Sequence, residues 1–282
     1  MGNTNFIFSI TFGCMDYKKV KFMISIVIST YKEENLKNIV KNITQTIGQK
    51  FEIIPIENQN KYSIARAYNI GAQKAQYPYI CFVHEDVLFQ TENWGIILIN
   101  DIESNVKLGL LGIVGTKRLS KYSLGWCDPF LPNELLTGHL NQGLNSWDKY
   151  RYDDFSPNKT GLDEVVGVDG LILFTKKEIW EHNNFDEKLI SGFHGYDLDF
   201  SIKIINAGYK IAVDKNIMLY HYSLGKNDKI WLDSTISVLK KWRNFLPIKT
   251  NDLEASKFLI TKDDILLFIR YIKNKIKYNL FN

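Results

Sequence analysis

The chain has 282 residues, of which 45% are hydrophobic and 23% charged, and its net charge is +4. That length buries a core without disulfide or metal staples, the composition is that of a soluble globular protein, and the charge is too small to point to nucleic acid. Three widely spaced cysteines, Cys14, Cys81 and Cys127, form no C-x-x-C or zinc pattern, and no run of about 18 apolar residues offers a membrane span.

The start, Phe6–Gly13, is apolar, but its lysines (Lys18, Lys19, Lys21) follow it, the wrong order for a signal peptide. Residues 1–22 are therefore set aside as an extension of unknown role. Cys81 inside an apolar strand favours a reducing compartment, and the reading is a cytoplasmic protein. Met23–Ser29 is a near-continuous apolar run, expected for a strand buried on both faces. A polar loop, Thr30–Asn35, leads to Leu36, Ile39, Val40, Ile43 and Ile47 at helical spacing, with Gly48 as the stop. Phe51–Ile56 is a second strand ending in Glu57-Asn58, and Ser63 caps an expected helix over Ile64, Ala67, Tyr68 and Ala75.

The third strand, Tyr79-Ile-Cys-Phe-Val, ends in His84-Glu85-Asp86. Side chains two apart on a strand share a face, so His84 and Asp86 project together if the strand persists. Oxygen ligands at a strand's carboxyl end suit Mg²⁺ or Mn²⁺ shared with a phosphate. A helical pattern over Trp94–Ile102 and a strand Leu108–Val114 complete an alternation of strands and helices. That alternation predicts an α/β fold with a mostly parallel central sheet and helices on both sides. Ligands in such sheets bind beyond the strands' carboxyl ends, where Tyr31, Glu57 and His84–Asp86 all lie.

Between Thr116 and Glu164 no period is visible, and the segment reads as long, irregular and rich in aromatics (Trp126, Trp147, Tyr150, Tyr152, Phe155). Val165–Phe174 is a strand with Asp169-Gly170 inside it. Asp197 and Asp199 open a helix that Gly208 ends, Tyr209–Val213 is a strand, and Met218–Ser223 follows with His221. Acids at a helix start serve as caps as readily as catalysts.

Together these residues resemble a known family. Ile26-Val-Ile-Ser-Thr-Tyr31, Arg66-Ala-Tyr-Asn69-Ile-Gly71, His84-Glu85-Asp86 at a D-x-D position, Val168-Asp169-Gly170, and Gly195-Tyr196-Asp197-Leu-Asp199 through Asn206-Ala-Gly-Tyr-Lys210 occur in the order of its motifs. The chain resembles the GT-A-fold inverting glycosyltransferases of family 2, in particular a bacterial glycosyltransferase-like branch, over about residues 23–225. Two positions depart from the pattern: His84 replaces the first acid of D-x-D, and Tyr196 replaces a Glu before the base.

The resemblance implies a three-layer GT-A domain over 23–250 that moves a sugar from a nucleotide-diphosphate donor, a UDP-sugar, to a saccharide or lipid-linked acceptor with inversion. It implies Mn²⁺ or Mg²⁺ on Asp86 and His221, and Asp197 as catalytic base. The donor nucleotide would be held by Thr30, Tyr31, Glu57, Arg66, Asn69, His84 and Glu85, and the acceptor by Asp169, Gly170, Tyr196 and Asp199. One metal and one carboxylate base suffice for such a transfer. A helix start should lower the pKa of Asp197 and keep it ionised. A nucleotidyltransferase of similar architecture would want a Gly-rich phosphate loop, and Thr30–Asn35 has no glycine; an inactive carbohydrate-binding protein would lack the metal ligands or the base.

Residues 251–282 read as a basic amphipathic helix. Thr261 and Asp264 have capping-box-like spacing; Ile265, Phe268, Ile269, Ile272 and Ile276 form one face and Arg270, Lys273 and Lys277 another. Such a helix over 261–281 either lies on the inner face of an anionic membrane or closes the domain core or a homodimer interface.

Overall fold

The computed structural model describes residues 22–127, 133–156, 158–225 and 228–253, with 265, 268–274, 276 and 277. The N-terminal extension apart from Phe22, and Thr261 and Asp264, lie outside the described residues. The three apolar runs are β1 (Ile24–Thr30), β2 (Phe51–Glu57) and β3 (Tyr79–His84), with α1 (Glu33–Thr46) and α2 (Ile64–Lys74) between them. The Ser63 side chain accepts the Arg66 N–H and caps α2. Next come β4 (Val87–Phe89), α3 (Trp94–Glu103), β5 (Leu108–Gly112), β6 (Val114–Thr116) and β7 (Arg118–Leu119). The hairpin β8 (Leu136–Gly143) and β9 (Tyr150–Asp154) precedes β10 (Leu162–Val165), β11 (Gly167–Val168) and β12 (Ile172–Lys176). Then follow α4 (Lys177–His182), α5 (Tyr196–Asn206), β13 (Lys210–Asp214), β14 (Leu219–His221), α6 (Lys229–Lys241) and β15 (Ile248–Lys249).

Seven strands form the central sheet in the order β10-β13-β5-β12-β3-β1-β2. Five of them (β13, β5, β3, β1, β2) run in one direction, and β12 and β10 oppose their neighbours. Alternate residues of β1 face opposite ways: Val27 packs with Tyr68, Phe82 and Phe200 of one core, Ile26 and Ile28 with Ile43, Trp94 and Phe174 of the other. Helices on both faces make three layers.

A second sheet of six strands, β11-β6-β8-β14-β4 with β9 on β8, stands at the carboxyl end of the first. Two of its strands, β8 and β9, come from the segment expected to be irregular, which is instead partly a hairpin. β8 reads Leu-Thr-Gly-His-Leu-Asn-Gln-Gly, so polar residues break any alternation, yet its first five positions are buried. Gly138 within it has φ +101°, and a Cβ there would come within 2.0 Å of the Ile113 carbonyl, so the β6–β8 approach requires glycine. Two expected single strands are in fact split between the sheets. Leu108–Val114 breaks at Ile113 into β5 and β6, and Val165–Phe174 breaks at Val166 and again at Asp169-Gly170, so that it falls to the end of β10, β11 and β12. These breaks form the seam where the site lies.

The C-terminal segment is helical wherever it is described between 265 and 277. Tyr271 packs on Leu124, Leu232 and Ile236, and Tyr122 meets Phe268 and Tyr271 at 4.9 and 5.9 Å. Ile265, Ile269 and Ile276 remain exposed.

Candidate active site

β3 ends at His84, the chain turns through Glu85-Asp86, and β4 begins at Val87. β14 runs antiparallel to β4, pairing His221 with Val87, and the Tyr222 N–H donates to the Asp86 carbonyl at 2.9 Å. That ladder brings together side chains 135 positions apart. His84, Asp86 and His221 each offer a ligand atom within 4.8 Å of the others, and His221 Nε2 is 3.6 Å from Asp86 Oδ1. Burial opposes the charge on Asp86, but the His221 and His84 imidazoles and the Ser223 hydroxyl outweigh it and hold the carboxyl below its usual range. Burial also lowers the pKa of His84, leaving its imidazole neutral and able to ligate. Two imidazoles and an ionised carboxylate are a donor set that fits a divalent cation.

The three side chains line a cavity of about 880 Å³ that also takes in Asp169, Gly170, Tyr196 and Asp197. Asp197 sits in the first turn of α5, after Gly195 at φ +78°. Its pKa is pushed up to about 7, first by burial and second by the Asp169 charge, against hydrogen bonds from the Leu198, Asp197 and Gly170 amides. The expected downward shift is thus corrected: the helix start is outweighed by desolvation and a like charge. Asp169 is itself engaged, accepting the Leu171 N–H at 2.8 Å and the Trp126 indole N–H. The Tyr196 hydroxyl lies 2.6 Å from His84 Nε2 and donates to the Gly170 carbonyl at 3.0 Å.

The remaining expected site residues separate into two groups. Tyr31 and Glu85 line the cavity, but the Glu85 carboxylate is spent on the loop after β1, where it accepts from the Thr30 hydroxyl at 2.5 Å and from the Tyr31 and Lys32 N–H groups. Glu85 and Thr30 therefore shape the loop, whose Tyr31 ring is exposed and carries the Lys32 ammonium 5.2 Å from its centre. Glu57, Arg66, Asn69 and Asp199 do not line the cavity. Glu57 points to solvent while the next residue, Asn58, turns inward and ties the loops together through Ser29 Oγ and Tyr62. Arg66 lies over the Tyr62 ring, and the buried Asn69 amide links Trp180, Phe185 and Glu187. Asp199 is 1% exposed and holds Lys241 at 2.7 Å and the Trp242 indole at 2.6 Å, so it fastens α5 to α6.

The structure also adds residues to the cavity. Arg151, Asp153 and Phe155 line it, with Trp126 edge-on to Phe155 at 5.8 Å. The Arg151 guanidinium pairs with Asp153 through two bonds of 2.7 and 3.1 Å. Their spacing at 151, 153 and 155 is the period of one strand face, a signal present in the sequence of β9 and the residue that follows it.

A family model described as a glycosyltransferase-like family matches residues 22–243. The chain belongs to this family. No curated protein matches this chain in sequence. Among solved structures, GalNAc-T7 with UDP, GalNAc and Mn²⁺ is similar with a TM-score of 0.56 at 14% identity, over 78% of this chain and 48% of that one. A mannosyltransferase from Pyrobaculum calidifontis in complex with GDP-Man and Mn²⁺ gives 0.46 at 10% identity, over 74% and 59%. Drosophila β1,4-galactosyltransferase 7 with xylobiose gives 0.43 at 17% identity, over 74% and 77%. The chain spans about half the length of the GalNAc-T7 structure, and the architecture they share is the GT-A fold.

Proposed function

We propose that this glycosyltransferase moves a sugar from a uridine-diphosphate donor to an acceptor hydroxyl with inversion, in polysaccharide or glycoconjugate synthesis. The observation that carries the reading is the meeting, in one cavity, of a cation-binding trio with a single carboxylate whose pKa is near 7. His84, Asp86 and His221 would hold the cation; with two nitrogen donors they suit Mn²⁺ better than Mg²⁺, which prefers oxygens. When bound, the cation supplies charge neutralisation for the departing diphosphate. The acceptor oxygen attacks the anomeric carbon, the bond from that carbon to the diphosphate oxygen breaks, and the acceptor proton passes to Asp197. A single direct displacement by the acceptor oxygen, with Asp197 as its base, gives inversion. Tyr31 offers a face for the base of the donor, and Trp126, Phe155, Arg151 and Asp153 offer apolar and polar contacts to an acceptor sugar.

The acceptor is proposed to be lipid-linked. Phe193 and Leu224 line the cavity yet are 42% and 49% exposed, and exposed Ile230 precedes Trp231, which also lines it. Trp231 and Tyr271 pack on one apolar cluster, so this rim adjoins the C-terminal helix with its exposed Ile265, Ile269 and Ile276. Incubation with radiolabelled nucleotide sugars and Mn²⁺, followed by analysis of anomeric configuration, tests the core reading. Transfer with inversion is expected; retention, or pyrophosphorolysis of the donor in place of transfer, would overturn it.

A further inference from the structure

The Tyr196 phenol has one proton for which His84 and the Gly170 carbonyl compete, while the buried Tyr68 hydroxyl also approaches its oxygen. Its oxygen is 2.6 Å from His84 Nε2 and 3.0 Å from the Gly170 carbonyl. Gly170 is buried, and its carbonyl can only accept. A buried carbonyl without a donor is costly, so the phenol proton goes there. The phenol oxygen must then accept from His84, which requires the imidazole proton to sit on Nε2. Nδ1 is left with the lone pair. Tyr196 is 4% exposed and wedged among Tyr68, Phe185 and His84, with no room to rotate away. Gly170 is part of the device, because a Cβ there would come within 2.1 Å of the Tyr196 hydroxyl.

We propose that Tyr196 is a positioning residue that locks His84 in the Nε2–H tautomer, so that His84 ligates the cation through Nδ1. The lock also spans the site, since Tyr196 immediately precedes Asp197 at the start of α5. One side chain thereby sets the cation ligand and the proposed base relative to each other. Imidazole ligands generally donate their other N–H to a fixed acceptor, and losing that partner typically costs about 10–100-fold in metal affinity. The Nδ1 ligation rests on the reading of His84 as a cation ligand; the tautomer does not.

The test is ¹⁵N-imidazole NMR of the metal-free protein, with His84 assigned by loss of its signals in His84→Asn. Wild type should show the proton on Nε2. Tyr196→Phe, if folded, should give mixed tautomers and bind Mn²⁺ about 10–100-fold more weakly, read by the electron paramagnetic resonance of free Mn²⁺ without nucleotide. Gly170→Ala, which keeps the phenol but displaces it, should act in the same direction. A wild-type proton on Nδ1 overturns the proposal whatever the variants do, and so does a folded Tyr196→Phe with unchanged tautomer and Mn²⁺ affinity. An inactive protein with the Nε2–H tautomer would sink the functional reading and leave the lock; an active enzyme with the opposite tautomer would do the reverse.

Discussion

A carboxylate with a pKa near 7 is a workable proton acceptor at neutral pH, and Asp197 reaches that value through burial and the neighbouring Asp169 charge. Asp197→Asn keeps the shape but cannot take a proton. Sugar transfer should fall about 10²–10⁴-fold while uridine diphosphate still binds, as read by a transfer assay beside a calorimetric titration. Wild-type activity should rise with pH and level off at or below about pH 7, because a bound cation draws the value down. The same shift has a stability consequence. Its folded pKa is raised, so the stabilisation is fully present below the unfolded value near 4 and is lost as pH rises through about 7. In EDTA, Asp197→Asn should therefore melt a few degrees above wild type at pH 8, and the gap should close toward pH 4. Equal melting at pH 8 would show that the site does not desolvate this charge. Asp86 tests the cation end: Asp86→Asn removes the one anionic ligand of the trio and should cut Mn²⁺-dependent turnover by orders of magnitude with the fold kept. Wild-type turnover in that variant would sink the assignment.

Between α5 and α6 the decisive contact is ionic. The Asp199 carboxylate is buried and bound by the Lys241 ammonium at 2.7 and 3.0 Å and by the Trp242 indole, and Lys241 also reaches Asp186 at 2.9 Å. Removing one partner of a buried pair leaves an uncompensated charge, at a cost of about 3–5 kcal/mol. Lys241→Ala should lower the denaturant midpoint accordingly, yet leave the apparent acceptor affinity near wild type at low temperature, because Asp199 does not line the cavity. A selective rise in acceptor KM without loss of stability would return Asp199 to the acceptor site. The same logic explains which elements were legible. β1 and β3 carry near-continuous apolar runs, β2 is mostly apolar, and α1 has a clear helical period, so hydrophobicity locates them. β8 buries Thr137, Gly138 and His139 and α6 buries Ser234 and Thr235, so neither shows a clean period. Nor does position at a strand end say which way a side chain turns: His84 faces the cavity, whereas Glu57 faces solvent.

At the scale of the molecule, the site exists because two sheets meet. The central sheet supplies His84, the β11–β12 break supplies Asp169 and Gly170, and the second sheet supplies His221. Order along the chain foretold the first of these contributions; the second sheet's approach depends on close backbone packing at Gly138 that no periodicity reveals. The exposed apolar residues are distributed unevenly over this assembly, with Phe193, Leu224 and Ile230 near the cavity mouth and Ile265, Phe268, Ile269 and Ile276 along the C-terminal helix. Lys273 and Lys277, also exposed, stand beside that apolar face. An apolar face flanked by cations binds anionic bilayers by partial burial plus attraction to headgroups, and the attraction is screened by salt. On vesicles containing phosphatidylserine, the full chain should float at low salt and float less in 0.5 M NaCl. A version ending at Thr250 should remain at the bottom of the gradient. It should also keep transfer to a water-soluble acceptor while losing transfer to a lipid-linked one in vesicles. Equal flotation of the two versions would remove the membrane from this account, and a shift from dimer to monomer on truncation would identify a second copy of the chain as what covers the helix.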